Sequence, residues 1–157
     1  VGAISVSNCD GDLELRSSTG ALSLANTKGK AEAITSTGAI SANNFNGELQ
    51  AKTSTGSLQL SKISGSVEAS SSTGSAKVSM AEIKDFVRVN VSVGSINLEL
   101  PAKKGLDLDL SGRNVNVQSL ANFDGKKEKN RIEGKLNGGG IPVEAKASIG
   151  SVTLDLQ

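Results

Sequence analysis

Apolar and polar residues alternate along residues 1 to 80, and the alternation restarts at every glycine. Gly2, Gly11, Gly20, Gly29, Gly38, Gly47, Gly56, Gly65 and Gly74 stand nine residues apart without a slip. Two residues beyond them lie Ile4, Leu13, Leu22, Ala31, Ile40, Leu49, Leu58, Val67 and Ala76. Four residues beyond lie Val6, Leu15, Leu24, Ala33, Ala42, Ala51, Leu60, Ala69 and Val78. Apolar residues at every second position predict half-buried strands. A helix would need spacings of three and four and would be weakened by so many glycines.

The glycines are of two kinds. Gly20, Gly38, Gly56 and Gly74 each follow a Ser-Thr pair, while those between them sit in more charged sequence. The repeat is therefore eighteen residues, two strands and two corners. A repeat of this size cannot bury its own apolar face and stacks on its neighbours, which predicts an all-β, single-domain β-solenoid. Successive coils should lie roughly 4.8 Å apart.

The alternation also predicts two outer faces. On the Ser-Thr-Gly side, Ser17, Thr19, Ala21 and Ser23 are expected outside. One coil on come Thr35, Thr37, Ala39 and Ser41, then Thr53, Thr55, Ser57 and Gln59, then Ser71, Thr73, Ser75 and Lys77. The same phase turns Ser18, Ser36, Ser54, Ser72 and Ser92 inward, where each hydroxyl needs a partner. The other face carries Asp10, Asp12, Glu14, Lys28, Lys30, Glu32, Glu48, Gln50, Ser66 and Glu68. Cys9 falls inward, in one column with Thr27, Phe45 and Ile63. Asn8, Asn26 and Asn44 also stack, and side-chain amides in register can hydrogen-bond along a ladder that Lys62 ends.

Beyond Met80 the period loosens. Gly94 follows Gly74 by twenty residues, which reads as a coil with a two-residue insertion at Ala81 to Asp85. Val87 and Val89 resume the inward positions, and Val91 and Val93 the outward ones. Residues 1–100 form the regular coils, and 101–157 a less regular part with a C-terminal cap. Strands are expected at 95–100, 106–110, 114–117, 132–136, 143–146 and 151–156, a loop at 120–130 and a turn at 137–140. The cap would cover a strand edge that otherwise invites aggregation. Val1-Gly2 already stands in phase with the repeat, so the chain is expected to be part of a longer protein that carries any signal or anchor.

Composition fits this picture. The 157 residues suit one domain, and a narrow solenoid core explains an aromatic content of 2%. A formal net charge of +1 gives no electrostatic reason to expect nucleic acid as a partner. No apolar run is long enough to cross a bilayer. One cysteine allows no internal disulfide.

The repeats Ser-Thr-Gly-(Ala/Ser)-(Ile/Leu), the segment Leu98 to Pro101, the run Gly138 to Val143 and the closing Ser148 to Leu156 carry a likeness. Together they resemble the bacterial "putative adhesin" family, catalogued as a domain of unknown function. The resemblance covers nearly the whole chain. It implies a β-solenoid in an extracytoplasmic protein, in the cell envelope or secreted, with no established catalytic residues.

Most site chemistry is excluded directly. Without histidine there is no Ser-His or Cys-His pair and no imidazole ligand. One cysteine excludes a thiolate zinc site. No phosphate or calcium loop motif is present, so neither cofactor nor metal is expected. Asp10, Asp12, Glu14, Glu32 and Glu48 share a face and would suit a polysaccharide-active β-helix. Alternating charge on a solvated strand is the simpler reading.

The Ser-Thr-Gly side is therefore the candidate binding face, with Thr19, Thr35, Thr37, Ala39, Ser41, Thr53, Thr55, Ser57, Thr73 and Ser75. Small and β-branched residues suit any strand, so the face is explicable by structure alone. Three ligand readings follow: another protein surface or a second copy, a glycan or cell-wall polymer, and ice on the pairs Thr35/Thr37 and Thr53/Thr55. The expected function is a non-catalytic, adhesin-like module that displays this ladder. The alternative is a scaffold that polymerises through the ends of the solenoid.

Overall fold

A computed structural model describes residues 1–101, 103–118 and 120–157. Its strands are β1 (Ile4–Ser7), β2 (Leu13–Thr19), β3 (Leu22–Thr37), β4 (Ile40–Thr55), β5 (Leu58–Thr73), β6 (Ala76–Val93) and β7 (Ile96–Leu100). Then come β8 (Leu106–Ser111), β9 (Asn114–Val117), β10 (Phe123–Lys127), β11 (Arg131–Leu136), β12 (Ile141–Ile149) and β13 (Ser151–Leu156).

The chain winds as the period requires. β3 pairs parallel with β4 in the register Leu22↔Ile40, Ala31↔Leu49 and Thr37↔Thr55. β4 on β5 repeats it with Ile40↔Leu58 and Leu49↔Val67. Apolar residues eighteen apart therefore stack, and Leu22, Ile40, Leu49, Leu58 and Val67 are all buried. The column behind Cys9 forms too, since Thr27 meets Phe45 and Phe45 meets Ile63.

One of the two expected corners is, in β3, β4 and β5, a kink inside a continuous strand. At this corner Asn8, which follows β1, and Asn26, Asn44 and Lys62 adopt φ of 53°, 49°, 56° and 52°. Asparagine tolerates this left-handed conformation better than other non-glycine residues. Its side chains also join the coils. Asn44 Nδ2 donates to Asn26 Oδ1 at 2.8 Å, and Asn26 Nδ2 to Asn8 Oδ1 at 3.3 Å. Lys62 keeps the backbone strain without the bond. Lys62→Asn is therefore expected to raise stability by about 1 kcal/mol, a thermal shift of about 2–4 °C in a melt followed by circular dichroism.

At the other corner the phase differs from the expectation. Thr35, Thr53 and Ser71 are buried, not outward, and Ser18, Ser36, Ser54, Ser72 and Ser92 are exposed, not inward. The strand keeps its alternation two residues longer, and the corner is then made by two consecutive outward residues. A buried hydroxyl at that position reaches the coil before it. Thr35 Oγ1 donates to the Gly20 carbonyl at 3.3 Å, Thr53 Oγ1 to Gly38 at 3.2 Å and Ser71 Oγ to Gly56 at 3.3 Å. These bonds satisfy groups that would otherwise be costly to bury. Val91 continues the column and is buried, whereas Val93 is exposed as expected.

The two-residue insertion appears as register shifts between β5 and β6, after which Val67↔Val87 restores the ladder. Its residues fold over the charged face. Ser66, expected outside, is covered and donates to Asp85 at 3.3 Å. Lys104 anchors the same bulge through Glu82 and the Ile83 carbonyl.

The C-terminal part is not stacked in sequence order. β12 pairs parallel with β6 on one side and β8 on the other, while β13 lies between β7 and β9. The last segment of the chain is thus a regular coil slipped between the earlier coils and the cap. Beyond it, β11 runs antiparallel to β8 and β10 antiparallel to β11. β10 falls inside the expected loop at 120–130. It shows no apolar period because four of its five residues are exposed. What it supplies is close approach: a Cβ on Gly125 would lie 2.4 Å from the Gly134 Cα, with the Phe123 ring beside it.

Candidate functional site

The glycine corner divides the expected flat face in two. Thr19, Thr37, Thr55 and Thr73 form an exposed ridge that ends in Val93 and Ile149. Thr35 and Thr53 lie beneath it. Among the described residues no outward Thr-x-Thr pair remains, so the array that suggested ice does not form.

On the other side of the corner, Ala39, Ser41, Ser57 and Ser75 line a shallow groove of about 400 Å³ with Gln59, Lys77 and Asn97. Strand register builds it. Ser41 pairs with Gln59, Gln59 with Lys77 and Lys77 with Asn97, so one column presents hydroxyl, amide, ammonium and amide in turn. The buried Ile40 and Leu58 form its floor. Lys77 has a loose ion pair with Glu99 at 4.0 Å. Ser57, Gln59, Ser75, Lys77 and Asn97 are exposed. Such a surface can exchange hydrogen bonds with a neutral polar ligand and holds no carboxylate pair. The candidate residues Ala39, Ser41, Ser57 and Ser75 thus meet here, with Gln59 and Lys77, which were expected on the same outward face, and Asn97, which was legible only as a strand position.

A second groove, of about 330 Å³, lies over the cap between β11, β8 and β12. It gathers Asp107 and Asp109 of β8 with Glu133 and Glu144, which lie far from them in sequence; none of the four was singled out there. The register Glu133↔Asp109↔Glu144 places three carboxylates in one row. Cations offset them: Arg131 lies 3.1 Å from Glu133 and 3.5 Å from Asp109, and Lys146 2.9 Å from Glu144. The hydrogen bond that Lys146 donates to Glu144, with the attraction between their charges, holds the ammonium above the usual lysine range. Among the described residues no group of acidic, cysteine or histidine side chains is arranged to hold a metal. Asp10, Asp12 and Glu14 sit exposed on the first coil.

The Toastrack DUF4097 family profile matches residues 2–155. The chain belongs to the Toastrack DUF4097 family. This Toastrack chain also matches one crystal structure, described as that of a "putative cell adhesion protein" from Clostridium sporogenes ATCC 15579. The two share 13% identity over 95% of this chain and 92% of that one, with a TM-score of 0.41. None of the curated proteins matches the Toastrack chain. No described helix is long and apolar enough to cross a membrane.

Proposed function

We propose that the protein is a non-catalytic, adhesin-like surface module, in the cell envelope or secreted, that binds a neutral polar polymer along its rigid ladder. The observation that carries this reading is the groove of Ala39, Ser41, Ser57, Gln59, Ser75, Lys77 and Asn97. Its polar groups stand on consecutive strands of one continuous sheet, so they are held in place before a ligand arrives. Preorganised donors and acceptors reduce the entropic cost of binding. A repeating polymer can meet several such rungs at once and gain by multivalency. The extracytoplasmic placement rests on the family likeness.

The test is retention on immobilised neutral polysaccharides, read by surface plasmon resonance. The parent chain should bind at least one of them. Gln59→Glu combined with Asn97→Asp should weaken that binding about tenfold, while exposed substitutions of this kind leave stability within about 0.5 kcal/mol. Unchanged binding by the double variant would remove the groove from the proposal. Release of shortened sugar chains during the same incubation would refute the non-catalytic part.

A further inference from the structure

The polar column that crosses the groove continues past it into the C-terminal coil. Gln59 pairs with Lys77, Lys77 with Asn97, Asn97 with Thr153 and Thr153 with Asn116, so β5, β6, β7, β13 and β9 carry these residues in one line. The residues before and after each of them, from Leu58 and Leu60 to Val115 and Val117, are buried, so the line points outward. Gln59, Lys77, Asn97 and Asn116 are exposed, and Thr153 is half-buried. Side-chain amides therefore stand on every second rung, with an ammonium and a hydroxyl between them. Among the described residues none of these three amides is spent on a hydrogen bond within the protein. Neighbouring strands lie roughly 4.8 Å apart, so the amides recur at roughly 9.6 Å.

We infer that this column binds an extended β-1,4-linked polysaccharide whose axis crosses the strands from Gln59 to Asn116. The inference rests on the proposed function and names the polymer class for it. Linkage through two equatorial bonds makes such a chain a straight ribbon that advances by close to one strand spacing per sugar. Each ring is turned over relative to the one before it, so the same edge of the ribbon meets the protein at every second sugar. That is the period of Gln59, Asn97 and Asn116. A side-chain amide both donates and accepts, so each can serve a hydroxyl and a neighbouring oxygen on that edge. Thr153 and Lys77, the latter drawn toward Glu99 at 4.0 Å, meet the opposite edge of the rings between. An α-1,4-linked chain curls and leaves the line within a few sugars. The five rungs accommodate five sugars, each adding contacts that the sheet already holds in place.

Isothermal titration calorimetry with soluble oligosaccharides of two to six sugars tests it. β-1,4-linked glucose and β-1,4-linked N-acetylglucosamine share the ribbon and are titrated separately, with α-1,4-linked glucose as the control. At least one β-1,4 series is expected to bind, with affinity rising up to five sugars and changing less than about threefold at six. The α-1,4 pentamer should bind at least about tenfold more weakly. Asn97→Ser should weaken the β-1,4 pentamer about tenfold, and Thr153→Ser should leave it within about threefold, both with circular dichroism unchanged. Equal affinity for the two linkages, a length dependence that ends at two sugars, or equal effects of Asn97→Ser and Thr153→Ser would each overturn the inference and leave a groove that binds sugar. Absence of binding in both β-1,4 series overturns it as well, and retention of a different neutral polysaccharide on the immobilised panel would then leave the proposed function standing.

Discussion

Gly56→Ala is expected to lower the melting temperature by about 10 °C or to prevent folding. Gly56 has φ 152°, and a Cβ there would lie 1.9 Å from the carbonyl oxygen of Gly38. Backbone cannot rotate aside as a side chain can, so the two coils must separate locally. That weakens the bonds from the Gly38 N–H to Thr55 and from the Ile40 N–H to Ser57, both 2.9 Å. Left-handed strain and the lost bonds together cost about 3–4 kcal/mol. Gly11→Ala is the control, because Gly11 has φ 130° but nothing within 4 Å of the added atom. Its cost is the strain alone, about 1–2 kcal/mol. Thermal melts of the two variants side by side decide the matter, and equal losses would show that coil contact at the glycine stack is unimportant.

Deleting residues 141–157 should have a larger and different effect. The deletion removes β12 and β13, which join the earlier coils to the cap. β8 and β9 then lose their parallel partners, while β6 and β7 expose fresh strand edges. The expected product keeps folded coils over residues 1–100, has an unstructured segment from 106 to 136, and aggregates. Hydrogen exchange should show protection lost in the cap and kept in β3, β4 and β5, since each coil leans mainly on its neighbours. Light scattering should rise with time. Retained protection across β8 and β11 would mean that the cap folds without its central layer.

The winding was legible because glycine, alternation and stacking agree with one another. The Asn8, Asn26 and Asn44 ladder, and the column from Cys9 to Ile63, could be read from the same spacing. The burial of Thr35 and Thr53 could not. Threonine is acceptable on either side of a strand, and a corner of one or two outward residues leaves the apolar pattern unchanged. β10 was hidden by its exposure, since a strand with one half-buried residue, Phe123, and four exposed ones has no hydrophobic period. The place of β12 was hidden for another reason. Nothing local tells Val143 that it will pair with Val87 on one side and Leu108 on the other. Ser41, Gln59 and Lys77 were legible as one outward column from the eighteen-residue spacing, whereas Asn97, beyond the insertion, joined it only once the coils were stacked.

The intercalated last coil makes the molecule mechanically lopsided. Tension on the C-terminus drags β13 lengthwise between β7 and β9, loading the hydrogen bonds on both flanks at once. Tension on the N-terminus lifts β1 from one neighbour only, so its bonds can break in turn. A protein tethered by its tail would hold against a pull that unwinds it from the head.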